Sequence, residues 1–203
     1  MPTIREVHPR PVYVMDDEIV IEPVDTLRDE HEIIERLLFG LEGIADRIRY
    51  DVKFPEEDIE EGIRIAAEFT DGCHTTKEEA LFPILAKASP NVGNAMVQEL
   101  TGDHLTIRKL LGAIRNLIPL AARRKGPARD RLARDLRLYT RLVREHIRTE
   151  EERFLPEVAR RLGRRKRAAI AAEFRRMEEA EGDPGRNQRF QESIRYLVLN
   201  YCV

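Results

Sequence analysis

The 203 residues contain no tryptophan, only two cysteines, and no apolar run near the ~18 residues that a membrane-spanning helix needs. Each lack removes a class. Cys73 and Cys202 are too few and too far apart in sequence for a disulfide framework. With no spanning run, and an N-terminus (MPTIREVHPR) unlike a signal peptide, the expectation is a soluble, cytoplasmic protein without membrane contact. Net charge is small as well. Lys+Arg 35 against Asp+Glu 37 leaves −2, so global electrostatics do not point to nucleic acid or an anionic membrane. What abounds is charge of both signs, 35% of residues, which with the missing tryptophan fits a thermophilic composition. The length suits one domain with appendages and a real core.

Residues 1–24 read as non-helical. Val12-Tyr13-Val14-Met15 and Ile19-Val20-Ile21 are β-prone runs flanking Asp16-Asp17-Glu18, bounded by Pro11 and Pro23. They suit a small hairpin that must pack on something to persist. Asp25 or Thr26 is placed to N-cap a first helix reaching about Tyr50, with Ile33, Ile34, Leu37, Leu38, Leu41 and Ile44 as its apolar stripe. Pro55 before Glu56, Glu57 and Asp58 opens a second helix, running to about Lys87 with a kink expected at Pro83. Beyond Ser89-Pro90-Asn91 a third carries Met96, Leu100, Leu110, Leu111, Ile114, Leu117 and Ile118. Lys125-Gly126-Pro127 ends it, and a fourth runs from about Ala128 to Leu162 with Pro156 near its end. A shorter helix over about 164–179 follows. The last helix puts Phe190, Ile194, Leu197, Val198 and Tyr201 on one face, expected to dock on the bundle or on a second subunit. The expected fold is all-α: an antiparallel up-down-up-down four-helix bundle over 25–162, a short N-terminal extension over 1–24, and two extra helices in 163–203.

Two motifs organise this chain. His74-Thr75-Thr76-Lys77-Glu78 and His146-Ile147-Arg148-Thr149-Glu150 each place a histidine four residues before a glutamate. On a helix such positions share one face, so imidazole and carboxylate project together, as metal binding requires. An internal repeat reinforces them. Leu27, His31, Ile34, Leu37 and Leu38 recur about 73 residues later as Leu100, His104, Ile107, Leu110 and Leu111. His74, Glu78, Glu79 and Phe82 recur about 72 residues later as His146, Glu150, Glu151 and Phe154. The chain thus reads as two copies of one helical hairpin. The sequence midpoints of His31 and His74, of His74 and His104, and of His104 and His146 fall on the three turn signals. One histidine per helix is therefore expected in a single layer, roughly 20–33 Å from the turns at 1.5 Å per residue.

Four imidazoles and two carboxylates exceed the needs of one tetrahedral zinc, and a histidine majority disfavours calcium and magnesium. Two non-haem irons suit them better, each taking two histidines with Glu78 and Glu150 between. Open positions then remain for an oxo or hydroxo bridge, or for dioxygen, peroxide or nitric oxide. Manganese or a mixed pair also suits these ligands. Ferritin-like Glu-x-x-His spacing is absent, since no glutamate lies three residues before any of the four histidines.

Over about residues 25–162 the layout resembles the hemerythrin family, specifically its HHE cation-binding branch. That family's first and third helices each contribute one histidine, matched by His31 and His104. Its second and fourth contribute His-x3-Glu before an aromatic-proline stretch, matched by His74/Glu78 before Leu81-Phe82-Pro83 and by His146/Glu150 before Phe154-Leu155-Pro156. The resemblance implies a four-helix bundle around a non-haem di-iron centre. Oxygen-carrying hemerythrins use five histidines. Four histidines and two glutamates are closer to the bacterial di-iron proteins that repair iron–sulfur clusters, although residues 1–24 lack the cysteine those proteins carry N-terminally. Two functions are open: a di-iron protein reacting with small oxidants in stress defence, sensing or iron handling, or a metal-stabilised module whose C-terminal helices bind a partner. A homodimer through the N-terminal segment or the C-terminal helix suits either.

Other residues read more plainly. His8 has no partner and reads as solvated. Glu35, also four residues after a histidine, matches Arg108 in the repeat and reads as a surface ion-pair former. Glu79 and Glu151 point about 100° away from their neighbours and suit supporting or solvent roles, with Glu151 able to replace Glu150 in a distorted helix. Tyr139 shares a face with His146 and suits either the ligand pocket or core packing. Cys73 reads as inert. The basic run from Arg160 to Arg167 has no interleaved aromatics and reads as a solvated face.

Overall fold

The computed structural model describes residues 13–15, 18–20, 22–49, 55–88, 90–123, 126–180, 183 and 185–202. His8 and most of the N-terminal extension lie outside them. Two short strands, β1 (Tyr13–Met15) and β2 (Glu18–Val20), pair antiparallel with Val14 opposite Ile19. All other regular structure among the described residues is helical, and the fold is all-α. Among the described residues no helix is long and apolar enough to cross a membrane.

Helix α1 (Pro23–Arg49) starts earlier than the N-cap reading of Asp25 or Thr26. The carbonyl of Glu22 accepts the N–H groups of both residues, at 3.0 Å each, so they lie inside the first turn. Pro23 tolerates this position because its missing N–H would be unpaired there anyway.

The second expected helix is not one α-helix. It comprises α2 (Glu56–Ile65), a π segment (Ala66–His74) and α3 (Thr75–Glu79). At the end of the π segment the N–H of Thr75 bonds the carbonyl of Thr70, five residues back. The expected kink at Pro83 is a break one turn earlier, at Ala80 and Leu81, before α4 (Phe82–Ala88). Pro83 has no N–H for the carbonyl of Glu79, and the chain tightens so that Leu81 bonds Glu78 at 2.8 Å.

Helix α5 (Pro90–Arg123) runs through Pro119, and Gly126, at φ 82°, turns the chain into α6 (Pro127–Thr149). Arg129 reaches back to the carbonyl of Ala121 at 3.1 Å, meeting an unpaired acceptor at the end of α5. A second π segment (Glu150–Phe154) leads into α7 (Leu155–Arg161), followed by α8 (Arg164–Ala180) and α9 (Arg186–Tyr201).

Partners across helix pairs fix directions. Along α1, Arg28, Glu35 and Asp46 meet Glu151, Arg144 and Arg137 in turn, so α1 and α6 are antiparallel. His104 and Arg108 of α5 meet Glu79 and Asp71 in the same reversed sense. Glu35 thus does form an ion pair, with Arg144 at 2.9 Å.

The core divides in two. One cluster holds Ile34, Leu38, Leu41, Phe69, Ile107, Ile114, Leu136 and Tyr139; the other holds Leu27, Phe82, Leu100, Phe154, Leu155 and Phe174. His31 lies between Leu27 and Ile34 on α1, and His104 between Leu100 and Ile107 on α5. A polar layer therefore separates two apolar ones. Helix α9 closes the first cluster with Phe190, Ile194 and Leu197, so the face left open between bundle and second subunit packs on its own bundle. Gly43 makes this approach feasible, because a Cβ there would overlap the carbonyl of Tyr201. In the basic run, Arg161 pairs with Glu157 and Arg167 with Glu22, while Arg164, Arg165 and Lys166 face solvent.

Candidate metal centre

Six side chains meet in the polar layer. His31 comes from α1, His74 from the last position of the first π segment, and Glu78 from α3. His104 comes from α5, His146 from the last turn of α6, and Glu150 from the first position of the second π segment. All six are buried, and both glutamates are fully so. They form two groups, His31, His74, Glu78 and Glu150, and Glu78, His104, His146 and Glu150. Within each group one donor atom per residue lies within 4.8 Å of every other.

The inner atoms are consistent. Each imidazole turns Nε2 to the centre. Oε1 of Glu78 lies 2.8 Å from His74 and 3.6 Å from His31, while its Oε2 lies 3.3 Å from His104. Oε2 of Glu150 lies 3.3 Å from His31, and its Oε1 lies 3.2 Å from His146. Nε2 of His104 and of His146 approach to 3.0 Å. Each carboxylate thus gives one oxygen to each histidine pair.

Despite these distances, Nε2 of His31 and His74 and all four oxygens of Glu78 and Glu150 lack hydrogen-bond geometry to any described residue. Leaving so many buried polar atoms unpaired is expensive. A cation between them removes that cost, and imidazole with carboxylate is a donor set for first-row transition metals. The residues present therefore fit a metal.

The electrostatics agree. Burial alone would lower the pKa values of His31, His74 and His146, but the surrounding carboxylates reverse this. Glu150, Glu151 and Glu78 push His31 up to about 11; Glu150 and Asp103 push His146 up to about 10; Glu78 and Glu30 push His74 up to about 9. Burial would raise Glu78, yet His74, His104 and His31 hold it well below the carboxylate range. The layer favours positive charge.

The outer nitrogens are equally ordered. Nδ1 of His31 meets Glu151 at 2.8 Å, that of His74 meets Glu30 at 2.9 Å, that of His104 meets Glu79 at 3.2 Å, and that of His146 meets Asp103 at 3.4 Å. A carboxylate on Nδ1 fixes the proton there and leaves Nε2 free to donate its lone pair. Glu151 takes this outer place while Glu150 stays inside. Sequence reasoning missed Glu30 and Asp103, although each immediately precedes the first histidine of its repeat copy. It also missed Lys77, which lies between His74 and Glu78, is 0% exposed, and bonds both Glu30 and Glu178.

Phe82 stacks on His104 at 6.0 Å between ring centroids and meets Phe154 edge-on at 5.6 Å, covering the layer on one side. On the other side lies a cavity of about 20 Å³ lined by Thr70, His74, His104, Ile107, Val143 and His146. The buried hydroxyls of Thr70 and Tyr139 neighbour each other, although neither meets a partner of good hydrogen-bonding geometry among the described residues. Tyr139 packs within the first apolar cluster, and burial pushes its phenol up. Burial also raises the Cys73 thiol, which stays protonated.

Comparison with known proteins identifies a family. The family model for the hemerythrin HHE cation-binding domain matches residues 22–158. Proteins of Mycobacterium bovis and Mycobacterium tuberculosis, described only as uncharacterized, are 29% identical over 186 residues, covering 91% of this chain and 69% of theirs. No solved structure matches the chain. On a match that spans all four histidines and both glutamates, the chain belongs to the hemerythrin HHE cation-binding family, whose domains bind metal cations, typically iron.

Proposed function

We propose that the chain is a non-haem di-iron protein reacting with small oxidants (dioxygen, peroxide or nitric oxide) in oxidative-stress defence, sensing or iron handling. One observation carries this reading: two groups of four donors share Glu78 and Glu150, and each carboxylate splits its oxygens between them. His31 and His74 would hold one ion and His104 and His146 the other, with both glutamates bridging. Manganese or a mixed pair is accommodated by the same donors. When bound, two adjacent irons supply paired one-electron steps, which suits a two-electron oxidant.

The chain's own residues do the rest. Glu30, Glu79, Asp103 and Glu151 orient the four imidazoles. The apolar clusters on either side restrict water, and a cavity of about 20 Å³ against three of the histidines accommodates one small molecule. We read the four long segments as an up-down-up-down bundle over 25–162, between the 1–24 extension and the 163–203 appendage. The two unpaired cysteines suit the reducing cytoplasm. A homodimer through the N-terminal segment or the outer face of α9, where Tyr196 and Leu199 are exposed, completes the proposal; sedimentation tests it.

Iron per chain and stopped-flow spectra of the reduced protein with peroxide test the central reading. About two irons per chain and fast, repeatable reoxidation are expected, and one tightly bound zinc from iron-rich growth would overturn it. A second reading, a metal-stabilised sensor without turnover, is favoured by the bond between Lys77 beside the centre and Glu178 of α8. Slow, stoichiometric bleaching would select it.

A further inference from the structure

Lys77 is the feature of this chain that metal binding alone does not require. Its side chain is 0% exposed, and a buried ammonium persists only with anionic partners. It has two, from different parts of the chain: Glu30 of α1 and, at 2.6 Å, Glu178 of α8. Its ammonium also lies 5.9 Å from the ring centroid of Phe174, a buried residue of α8. The other oxygen of Glu30 meets Nδ1 of His74 at 2.9 Å. An unbroken line thus joins His74, Glu30, Lys77 and Glu178.

The second half of the repeat provides an internal comparison. There the residue matching Lys77 is Thr149, whose hydroxyl bonds its own helix at Glu145. The residue matching Glu30 is Asp103, whose side chain is 45% exposed against 8% for Glu30, and whose distance to its histidine is 3.4 Å. One histidine pair is braced through a buried cation; the other has two half-exposed acids, Asp103 and Glu79, and no such cation. The brace uses α8, which begins at Arg164, beyond the family match ending at residue 158.

We propose that Lys77 and Glu178 are positioning residues that brace the His31/His74 side of the centre, so that docking of α8 and metal occupancy at that side are coupled. This rests on the metal-binding reading above. Glu178 holds the ammonium, the ammonium fixes the Glu30 carboxylate, and the carboxylate fixes the ring plane and the Nδ1 proton of His74. A metal that needs this orientation favours the docked helix, and the docked helix favours the metal by the same factor. The two sides of the centre are consequently unequal, with His31/His74 the tighter.

The test uses the full-length metal-free chain titrated anaerobically with cobalt(II), whose visible bands report ligand geometry, alongside hydrogen exchange of residues 164–180. Wild type should show two classes of site, and loading should slow exchange in α8. Glu178→Gln, at a half-exposed position, should weaken the tighter class by about tenfold, alter its bands, spare the weaker class and abolish the slowing of α8. Lys77→Met should do the same more strongly; if it fails to fold, Glu178→Gln decides. Asp103→Asn should act on the weaker class alone. Two equal classes in wild type, or α8 exchange indifferent to cobalt, would overturn the coupling while leaving metal binding intact. Failure to bind cobalt or iron at all would overturn both.

Discussion

Glu78 and Glu150 face each other across the histidine layer, and each turns one oxygen to the His31/His74 pair and the other to the His104/His146 pair. Neither carboxylate belongs to one group of four. Loss of one should therefore disturb both ions at once. Glu78→Ala should bring iron well below one per chain, and the Glu78→Ala, Glu150→Ala pair should abolish both iron and any near-ultraviolet iron absorption. Elemental analysis decides. A double variant that retains one full equivalent would mean that the glutamates are not shared.

Protons and metal compete for the same nitrogens. At pH 7 His31, His74 and His146 carry protons in the metal-free chain, since their pKa values lie at about 11, 9 and 10. Loading metal at pH 7 should expel about three protons per chain from these Nε2 atoms. Metal addition in weakly buffered solution with a pH indicator measures this. Release of fewer than one proton would mean that the carboxylates do not hold these histidines protonated in the metal-free chain.

Stability of the metal-free chain follows with a definite sign. A pKa raised above its unfolded value of ~6.5 contributes stability in full below that value, lost as pH climbs through the folded one. For these histidines the loss occurs as pH rises through about 9 to 11. Glu78, held low, acts oppositely: its contribution is present above the unfolded value of ~4.5 and is lost as pH falls through the lower folded one. The metal-free thermal midpoint should thus fall between pH 8 and about 11, whereas loaded protein should resist, its metal having replaced the protons. Coincident alkaline profiles would refute the assignment.

The spacing of His74/Glu78 and His146/Glu150, with the repeat that adds His31 and His104, names the six residues that the fold brings together. That was legible because one helical face is a local property of sequence. The turns were legible through Pro55, Pro90 and Gly126-Pro127. Less could be read where the answer depends on which helices become neighbours. The π segments at Ala66–His74 and Glu150–Phe154, each of which carries one residue of the layer at its end or start, have no composition signal that sets them apart from α-helix. The partner of Glu35 is Arg144 rather than a residue near it in sequence. Lys77 looks like any lysine on a charged helix until α8 covers it.

Gly43 tests the docking of α9 independently of metal. A methyl group there would overlap the carbonyl of Tyr201, which cannot move without lifting the end of α9. Gly43→Ala should cost about 1–3 kcal/mol of stability, read as a lower thermal midpoint, with faster exchange confined to 186–202. Gly112→Ala, where nothing lies within 4 Å, is the control and should not destabilise. Equal behaviour of the two would mean that α9 is not held at this contact.

Thr70 and Tyr139 separate stability from reactivity. Both carry buried hydroxyls without a hydrogen-bond partner among the described residues, and such a group costs about 1–3 kcal/mol. Replacing either with an apolar residue of similar shape, Thr70→Val or Tyr139→Phe, should leave iron content unchanged and hold or raise the thermal midpoint. The two should differ toward peroxide. Thr70 lines the cavity against His74, His104 and His146, where its hydroxyl can donate to a small oxidant, while Tyr139 is absent from that lining. Loss of one aligned donor from an oxyanion hole slows reaction by about a hundred- to a thousandfold. Thr70→Val should accordingly slow reoxidation by peroxide at least tenfold, with Tyr139→Phe close to wild type. The two hydroxyls are neighbours, since Thr70 acts against the burial that raises the Tyr139 phenol, so the pair of variants separates the hydroxyl at the cavity from the one behind it. If Thr70→Val reacts at the wild-type rate, the Thr70 hydroxyl does not donate to the oxidant.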